Sequence, residues 1–225
     1  NRRQNNMEFL LNKDKKEITS AVTHLGGAIF AVIGMIMLLQ NAIQSNNIIS
    51  ILAFIIFGVS MILLYSTSTA YHFIDASKER AKLVMRKLDH IMIFVLISGT
   101  YTPICLLALK NTIGYTLLGV VWSITLLGVF IKIFWINAPR WVSAGLYIGM
   151  GWLSVFVLAP LVKSMPLGGI IWLFMGGLMY TIGGVIYGLK KPNIDKPWFG
   201  FHELFHLFVL AGTFCHFMMM YFYVA

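Results

Sequence analysis

Apolar stretches long enough to cross a membrane recur along the whole chain. They cover residues 20–42, 48–73, 88–109, 112–135, 141–160, 168–189 and 201–224. A hydrocarbon layer of about 30 Å needs about 20 helical residues, because each residue advances the helix by 1.5 Å. The pattern therefore predicts an all-α integral membrane protein, a bundle of seven transmembrane helices.

The polar segments between these stretches are short. The longest predicted connection is residues 74–87, and no soluble domain or internal repeat is evident. The first apolar stretch is too long for the apolar part of a signal peptide, so we expect it to be retained. Residues 1–19 are then a short basic cytoplasmic tail, and residues 20–225 form a single seven-helix membrane domain.

The basic residues are distributed asymmetrically about these stretches. Of the 17 Lys and Arg residues, all except Lys110 and Lys163 fall in the N-terminal tail or in the connections on the same side. Connections on the cytoplasmic side carry the Lys/Arg excess. We therefore predict a cytoplasmic N-terminus and an extracytoplasmic C-terminus. The net charge of +9 is explained as an orientation signal, and no nucleic-acid partner is expected.

Composition agrees with a membrane protein. Hydrophobic residues make up 59% of the chain and charged residues 11%, whereas soluble domains are roughly a quarter charged. Cys105 and Cys215 lie within predicted spans and are expected to be small apolar packing residues without a disulfide. The last span lacks the lysine that a retinal protein needs, and the predicted orientation is opposite to that of a G-protein-coupled receptor.

Polar side chains that are costly in a membrane collect at the predicted cytoplasmic ends of three helices. His72 ends the second stretch, Asp89 begins the third, and His202 and His206 begin the seventh. Ionisable residues inside a membrane are commonly functional. We therefore expect these residues to form one polar layer near the cytoplasmic side.

The spacing of these residues is typical of a metal site. His202 and His206 lie four residues apart on one helix face, and Ser68 precedes His72 by the same interval. A catalytic zinc takes three protein ligands and leaves a position for water. The sequence predicts a zinc ion bound by His72, His202 and His206, although three imidazoles also suit other first-row metals. Asp89 and Ser68 are the predicted catalytic residues beside the bound water.

The remaining polar residues of the spans have less specific interpretations. His216 lies about 15 Å along the helix from His206 and is expected to pack or hydrogen-bond inside the bundle. For His24 and His90 we expect hydrogen bonds between helices, and a role beside the ligands stays open. Residues 202–206 also match H-E-x-x-H, in which Glu203 would be the general base of an intramembrane metalloprotease. This is a minor alternative, because such proteases usually carry their aspartate after the histidines.

Four blocks of the sequence resemble the haemolysin III family, within the wider progestin and adipoQ receptor group that includes the adiponectin receptors. In order along the chain they are EITSAVTHLGGAIFAVIG, STSTAYHF, KLDHIMIFVLISGTYTP and KKPNIDKPWFGFHELFHLF. The family pattern places Ser-x-x-x-His on the second span, Asp on the third and His-x-x-x-His on the seventh. This chain meets every position and is similar to the bacterial branch, which implies a bacterial plasma membrane.

The resemblance implies a zinc ion toward the cytoplasmic side and a chemistry like that of alkaline ceramidases. We expect a hydrolase of lipid amide or ester bonds, with a membrane lipid as partner and its acyl chain within the bundle. A non-enzymatic sensor of membrane state with structural zinc is the alternative, and a cytolytic protein is a further one. A pore finds little support, because the outer halves of the spans are nearly uncharged. A homodimer is possible through G-x-x-x-G spacings such as Gly145 and Gly149.

Overall fold

The structure, a computed structural model, describes residues 2–194 and 196–225, with side chains from residue 14 onward. Within these ranges it is entirely helical, and seven helical segments are long and apolar enough to cross a membrane. The predicted seven-helix architecture is confirmed. The basic side chains of Arg2, Arg3 and Lys13, which entered the charge comparison, lie outside the described side chains.

Along the described residues, eight α-helices and three short helical segments of other types follow one another. The α-helices are α1 (Arg2–Gln44), α2 (Ile48–Phe73), α3 (Glu79–Pro103), α4 (Thr112–Phe134), α5 (Arg140–Gly151), α6 (Leu158–Ser164), α7 (Leu167–Leu189) and α8 (Phe201–Met219). A π-helical turn, Ile104–Leu109, extends α3, a 3₁₀ segment, Trp152–Val157, joins α5 to α6, and a π-helical turn, Met220–Val224, ends α8.

The predicted long connection at residues 74–87 is wrong. The third helix begins at Glu79 instead of residue 88, so the chain between α2 and α3 covers only residues 74–78. Hydropathy locates the apolar window of a helix and misses a charged extension of it. Residues 79–87 are mostly Glu, Arg, Lys, Ala, Leu and Met, which favour helix intrinsically.

The fifth span, predicted as one helix over residues 141–160, is interrupted in its middle. The 3₁₀ segment leaves backbone groups without their α-helical partners, and Tyr101 of α3 satisfies two of them. Its hydroxyl donates a hydrogen bond to the carbonyl of Gly151 at 2.6 Å and accepts one from the amide of Ser154 at 2.8 Å. Non-helical backbone at membrane depth is tolerated where protein groups complete its hydrogen bonds.

A cavity of about 110 Å³ lies beside this interruption and beside Pro103, where α3 changes to π-helical geometry. Its walls come mainly from α3, α5, α7 and α8 and are mostly apolar, with Ile97, Phe174 and Val209 among them. His72, His202 and His206 do not line it. The cavity is therefore separate from the histidine cluster.

Helix α1 packs against both α2 and α8, and this packing determines which polar residues can meet. The core-facing side of α2 is fully buried at Phe54, Phe57 and Met61, whereas aromatic residues of other helices such as Phe156 are exposed toward the lipid. In a soluble protein, burial of an aromatic side chain stabilises the fold by about 1.5–3 kcal/mol. In lipid, helices associate mainly through close van der Waals packing. The packing of α1 against α2 and α8 places residues 17–20 of α1 beside the end of α2 and the start of α8.

Cysteine labelling in cells tests the predicted orientation. Both native cysteines are buried, so background labelling should be low. A membrane-impermeant maleimide should label Lys110→Cys in intact cells, and Lys78→Cys only after permeabilisation, because the Lys/Arg excess assigns Lys78 to the cytoplasm. Labelling of Lys78→Cys in intact cells would reverse the assignment. The side of the bundle that contains Lys78 is called the cytoplasmic end below.

Candidate metal centre

Three histidines from two helices meet at the cytoplasmic end. His72 lies in the last turn of α2, and His202 and His206 lie in the first two turns of α8. α8 begins directly after Gly200, whose backbone is extended, and this start places the two histidines on one helix face as their spacing predicted. His72 is 6% exposed and His206 2%. The imidazoles are therefore largely removed from solvent.

The ring nitrogens are close enough to share one ion. One nitrogen from each of His72, His202 and His206 lies within 4.8 Å of the other two, and the two Nε2 atoms of His72 and His202 are 3.3 Å apart. Two nitrogens bound to one tetrahedral zinc at about 2.0–2.1 Å are separated by roughly 3.3 Å. The three histidines are thus a donor set that fits a metal ion, as the sequence predicted.

The carboxylate of Glu17, in α1, orients His72. Its Oε2 accepts a hydrogen bond from His72 Nδ1 at 3.2 Å and another from Lys82 Nζ at 2.9 Å. Because a carboxylate can only accept, Nδ1 carries the proton and the lone pair of Nε2 faces His202. A carboxylate behind a histidine is a common arrangement around metal ions. The sequence interpretation missed Glu17.

A second contact joins α1 to α8 beside the cluster. The hydroxyl of Ser20 donates a hydrogen bond to Glu203 Oε1 at 2.9 Å, and both side chains are buried. Glu203 is not among the residues whose ligand atoms converge. This contact gives the H-E-x-x-H interpretation no support, because a general base must reach the water at the metal.

His24 of α1 stacks directly on His206. The two ring centroids are 3.7 Å apart and the ring planes differ by 9°. His24 is buried, and neither of its nitrogens makes a hydrogen bond. The hydrogen bond between helices expected of His24 is not found; its ring lies against that of His206 and outside the three converging donors.

The two predicted catalytic residues have different surroundings. Ser68 lies one turn before His72 on α2, is 1% exposed, and its hydroxyl has no hydrogen-bond partner. Asp89 lies near the cytoplasmic end of α3 with a side chain that is 16% exposed, and its Oδ2 approaches His90 Nδ1 at 3.7 Å. No contact of Asp89 with the three clustered histidines is found among the described residues.

The two other histidines hydrogen-bond as the sequence suggested. His90 contacts the carbonyl of Arg86 at 2.8 Å and the hydroxyl of Tyr187 at 3.2 Å. His216 contacts the carbonyl of Leu173 at 3.2 Å, deep within the bundle. Each joins its own helix to α7, so both contribute to packing and neither belongs to the cluster.

With the fold and the cluster established, sequence comparison gives the family. Residues 12–217 match the model of the family described as Haemolysin-III related. The chain belongs to this family. A hemolysin-3 homolog of Bacillus subtilis is 39% identical over 209 residues, covering 93% of this chain and 94% of the relative. A hemolysin-3 of Bacillus cereus is 36% identical over 210 residues, covering 93% and 92%.

Distant relatives extend the likeness to the wider superfamily. An adiponectin receptor protein of Drosophila melanogaster is 25% identical over 184 residues, which cover 72% of this chain and 41% of the relative. The resemblance drawn from the four sequence blocks is confirmed. The chain is a multi-pass membrane protein of the haemolysin III family, bacterial in type.

Removal of Glu17 tests its role behind His72. We expect Glu17→Ala to weaken metal affinity by about 10–100-fold, the usual effect of losing the partner of a ligand. The measurement is competition of purified protein with a chromophoric chelator. Asp14→Ala is the matched control, since it removes an exposed carboxylate one turn before Glu17 on α1 and keeps the Glu17–His72 contact. Equal losses of metal affinity in the two variants would show that the Glu17–His72 contact does not determine this affinity.

Proposed function

We propose that the protein is a zinc-dependent hydrolase of amide or ester bonds in membrane lipids. The observation that carries this proposal is the convergence of three imidazole donors within 4.8 Å at the cytoplasmic end. A set of three ligands is typical of catalytic zinc, whereas structural sites usually have four. Membership of the haemolysin III family supports the membrane location of this activity. The ceramidase-like chemistry is taken from the sequence resemblance.

The bound ion would polarise the scissile carbonyl and bring the pKa of a water molecule toward 7. The protein's contribution begins with orientation of the donors. Glu17 keeps the proton of His72 on Nδ1, and Lys82 keeps Glu17 in place. The four-residue spacing on α8 gives His202 and His206 a common direction. These contacts fix the donor atoms before any substrate binds.

Asp89 and Ser68 are the proposed proton-handling groups. The Asp89 carboxylate takes the proton of the attacking water and then returns it to the leaving amine or alcohol. Ser68 has a free hydroxyl one turn from His72 and donates a hydrogen bond to the oxyanion that develops. This assignment requires Asp89 to approach the reacting water when the lipid is bound, because its carboxylate lies 3.7 Å from His90 Nδ1 and is not among the converging ligand groups.

The variant Asp89→Asn separates metal binding from catalysis. It should keep the zinc content of the parent, because Asp89 is outside the donor set, and lose roughly 10²–10⁴-fold in turnover of a lipid amide or ester. Elemental analysis and product formation from ceramide and phospholipid vesicles are the two measurements. Asp75→Asn, an exposed carboxylate in the connection before α3, is the control. Parent-like turnover in Asp89→Asn would remove Asp89 from the mechanism.

A structural ion is the second candidate function, and one observation favours it. The donors come from α2 and α8, while the carboxylate behind His72 comes from α1, so that an ion would connect three helices. The protein would then respond to membrane state without catalysing a reaction.

Thermal unfolding in detergent discriminates between the two candidates. A structural ion should make both chelation and His72→Ala lower the midpoint of unfolding strongly, since stabilisation grows with ligand concentration relative to its dissociation constant. For the hydrolase we expect chelation to abolish turnover, with recovery on adding zinc, and to change the midpoint less. Strong destabilisation together with no turnover on any lipid tested would favour the structural function.

A further inference from the structure

Arg140 is an exposed cation at the edge of the metal centre. It is the first residue of α5, at the cytoplasmic end of the bundle. Its guanidinium carbon lies 5.2 Å from the ring centroid of Tyr187 and 5.5 Å from that of Phe201. A guanidinium within about 6 Å of a ring centroid is attracted to the face of the ring. Rings from α7 and α8 therefore hold the charged group of Arg140 in place.

The same two rings border the histidine cluster. The ring centroid of Tyr187 is 6.2 Å from that of His202, and the centroid of Phe201 is 6.4 Å from it. The Tyr187 hydroxyl also contacts His90 Nε2 at 3.2 Å, next in sequence to Asp89. Arg140 and the metal-binding His202 thus lie beside one pair of aromatic rings.

The N–H groups of Arg140 are available to a ligand. Neither an ion pair nor a side-chain hydrogen bond of Arg140 is found in the described part of the chain. Contact with a ring face does not use the N–H groups, which lie in the plane of the guanidinium. They form a rigid fork of donors that matches the oxygens of a phosphate group. An anion can therefore bind Arg140 without disturbing its contacts with the rings.

Other cations near the start of α5 also lack a carboxylate partner among the described residues. The ammonium of Lys132, which is 1% exposed, donates to the hydroxyl of Ser143, one turn after Arg140. Arg86 donates to the side chain of Asn137 at 3.4 Å, in the connection directly before Arg140. Basic groups at the cytoplasmic face of a membrane attract the phosphates of anionic lipids. The start of α5 therefore favours a negatively charged headgroup.

We propose that Arg140 binds the phosphate of the lipid substrate, which makes the substrate a glycerophospholipid. This inference rests on the hydrolase of the proposed function and names its substrate class. The phosphate of such a lipid and the nearer acyl ester are attached to adjacent glycerol carbons, and Arg140 and His202 lie beside the same two rings. Water adds to the acyl carbon, the bond from this carbon to the glycerol oxygen breaks, and that oxygen takes a proton. The products are a fatty acid and a lysophospholipid.

Phosphatidate and diacylglycerol with identical acyl chains are the matched substrates, because they differ only in the phosphate. The zinc-loaded, full-length protein in micelles of neutral detergent should have a kcat/KM at least about 10-fold higher for phosphatidate. Arg140→Gln should lower kcat/KM for phosphatidate by about 10–100-fold, as expected for the loss of hydrogen bonds to a charged group. The change should be mainly in KM, because Arg140 contacts the phosphate and not the reacting carbonyl.

Binding of the ether analogues of the two lipids provides a measurement that needs no turnover, since ethers are not hydrolysed. Arg140→Gln should keep the zinc content of the parent and raise the dissociation constant of ether phosphatidate at least about 10-fold. Lys78→Gln is the matched control, because it removes one exposed cation at the same end of the bundle. It should keep the affinity of the parent.

Equal affinity of the unmodified protein for the two ether lipids would overturn the proposal, whether or not Arg140→Gln folds. Equal losses of affinity in Arg140→Gln and Lys78→Gln would also overturn it, since the effect would then be one of general charge. Displacement of ether phosphatidate by inorganic phosphate at the same concentration would assign the site to free phosphate and reject the lipid. Binding that depends on Arg140, without turnover of any lipid, would support the phosphate site and contradict only the hydrolase.

Discussion

The need to pair polar side chains that water cannot reach is the constraint on which the cytoplasmic end of the bundle depends. Polar groups removed from water are costly unless they find a partner, and in a membrane protein the partner must come from another helix. Glu17 provides it for His72, and Ser20 provides it for Glu203. Both partners are on α1, which packs against α2 and α8. The first helix is therefore as much a part of the centre as the two helices that carry the three converging histidines.

The hydrogen bonds behind His72 form a chain to Lys82 through the carboxylate of Glu17, which accepts from both. Lys82 donates to Glu17, Glu17 accepts from His72, and the free lone pair of His72 faces His202. Charge-assisted hydrogen bonds are roughly twice as strong as neutral ones, so this chain holds the His72 ring more firmly than packing alone. Lys82 belongs to the charged start of α3. Extension of that helix to Glu79 therefore has a consequence for the site as well as for the fold.

The lengths of the apolar stretches were sufficient to predict the seven spans. The convergence of His72, His202 and His206 was predictable because it depends on local spacing and on the helix ends at which these residues lie. The partners from α1 were missed because hydropathy treats that helix as a lipid-facing span. The signal was nevertheless present, since residues 17, 20 and 24 are spaced by three and four and share one helix face. The interruption of the fifth span was not predictable in this way, because Tyr101 satisfies its backbone from another helix. For Asp89 the level and the helix were predicted correctly, and its role as the base stays a prediction.

The depth of the centre agrees with the chemistry proposed for it. Ester and amide linkages of membrane lipids lie in the interfacial region, outside the hydrocarbon layer of about 30 Å. The histidine cluster occupies the ends of α2 and α8, and its surroundings become more exposed in the same direction, from buried Ser68 to the 31% exposed side chain of Glu17. The apolar cavity beside Pro103 does not reach the cluster. Phe205 lines that cavity, and its ring is also 5.8 Å from the ring of His206. In the proposed hydrolase the lipid linkage would reach the three imidazoles from the level of the headgroups and not through this cavity.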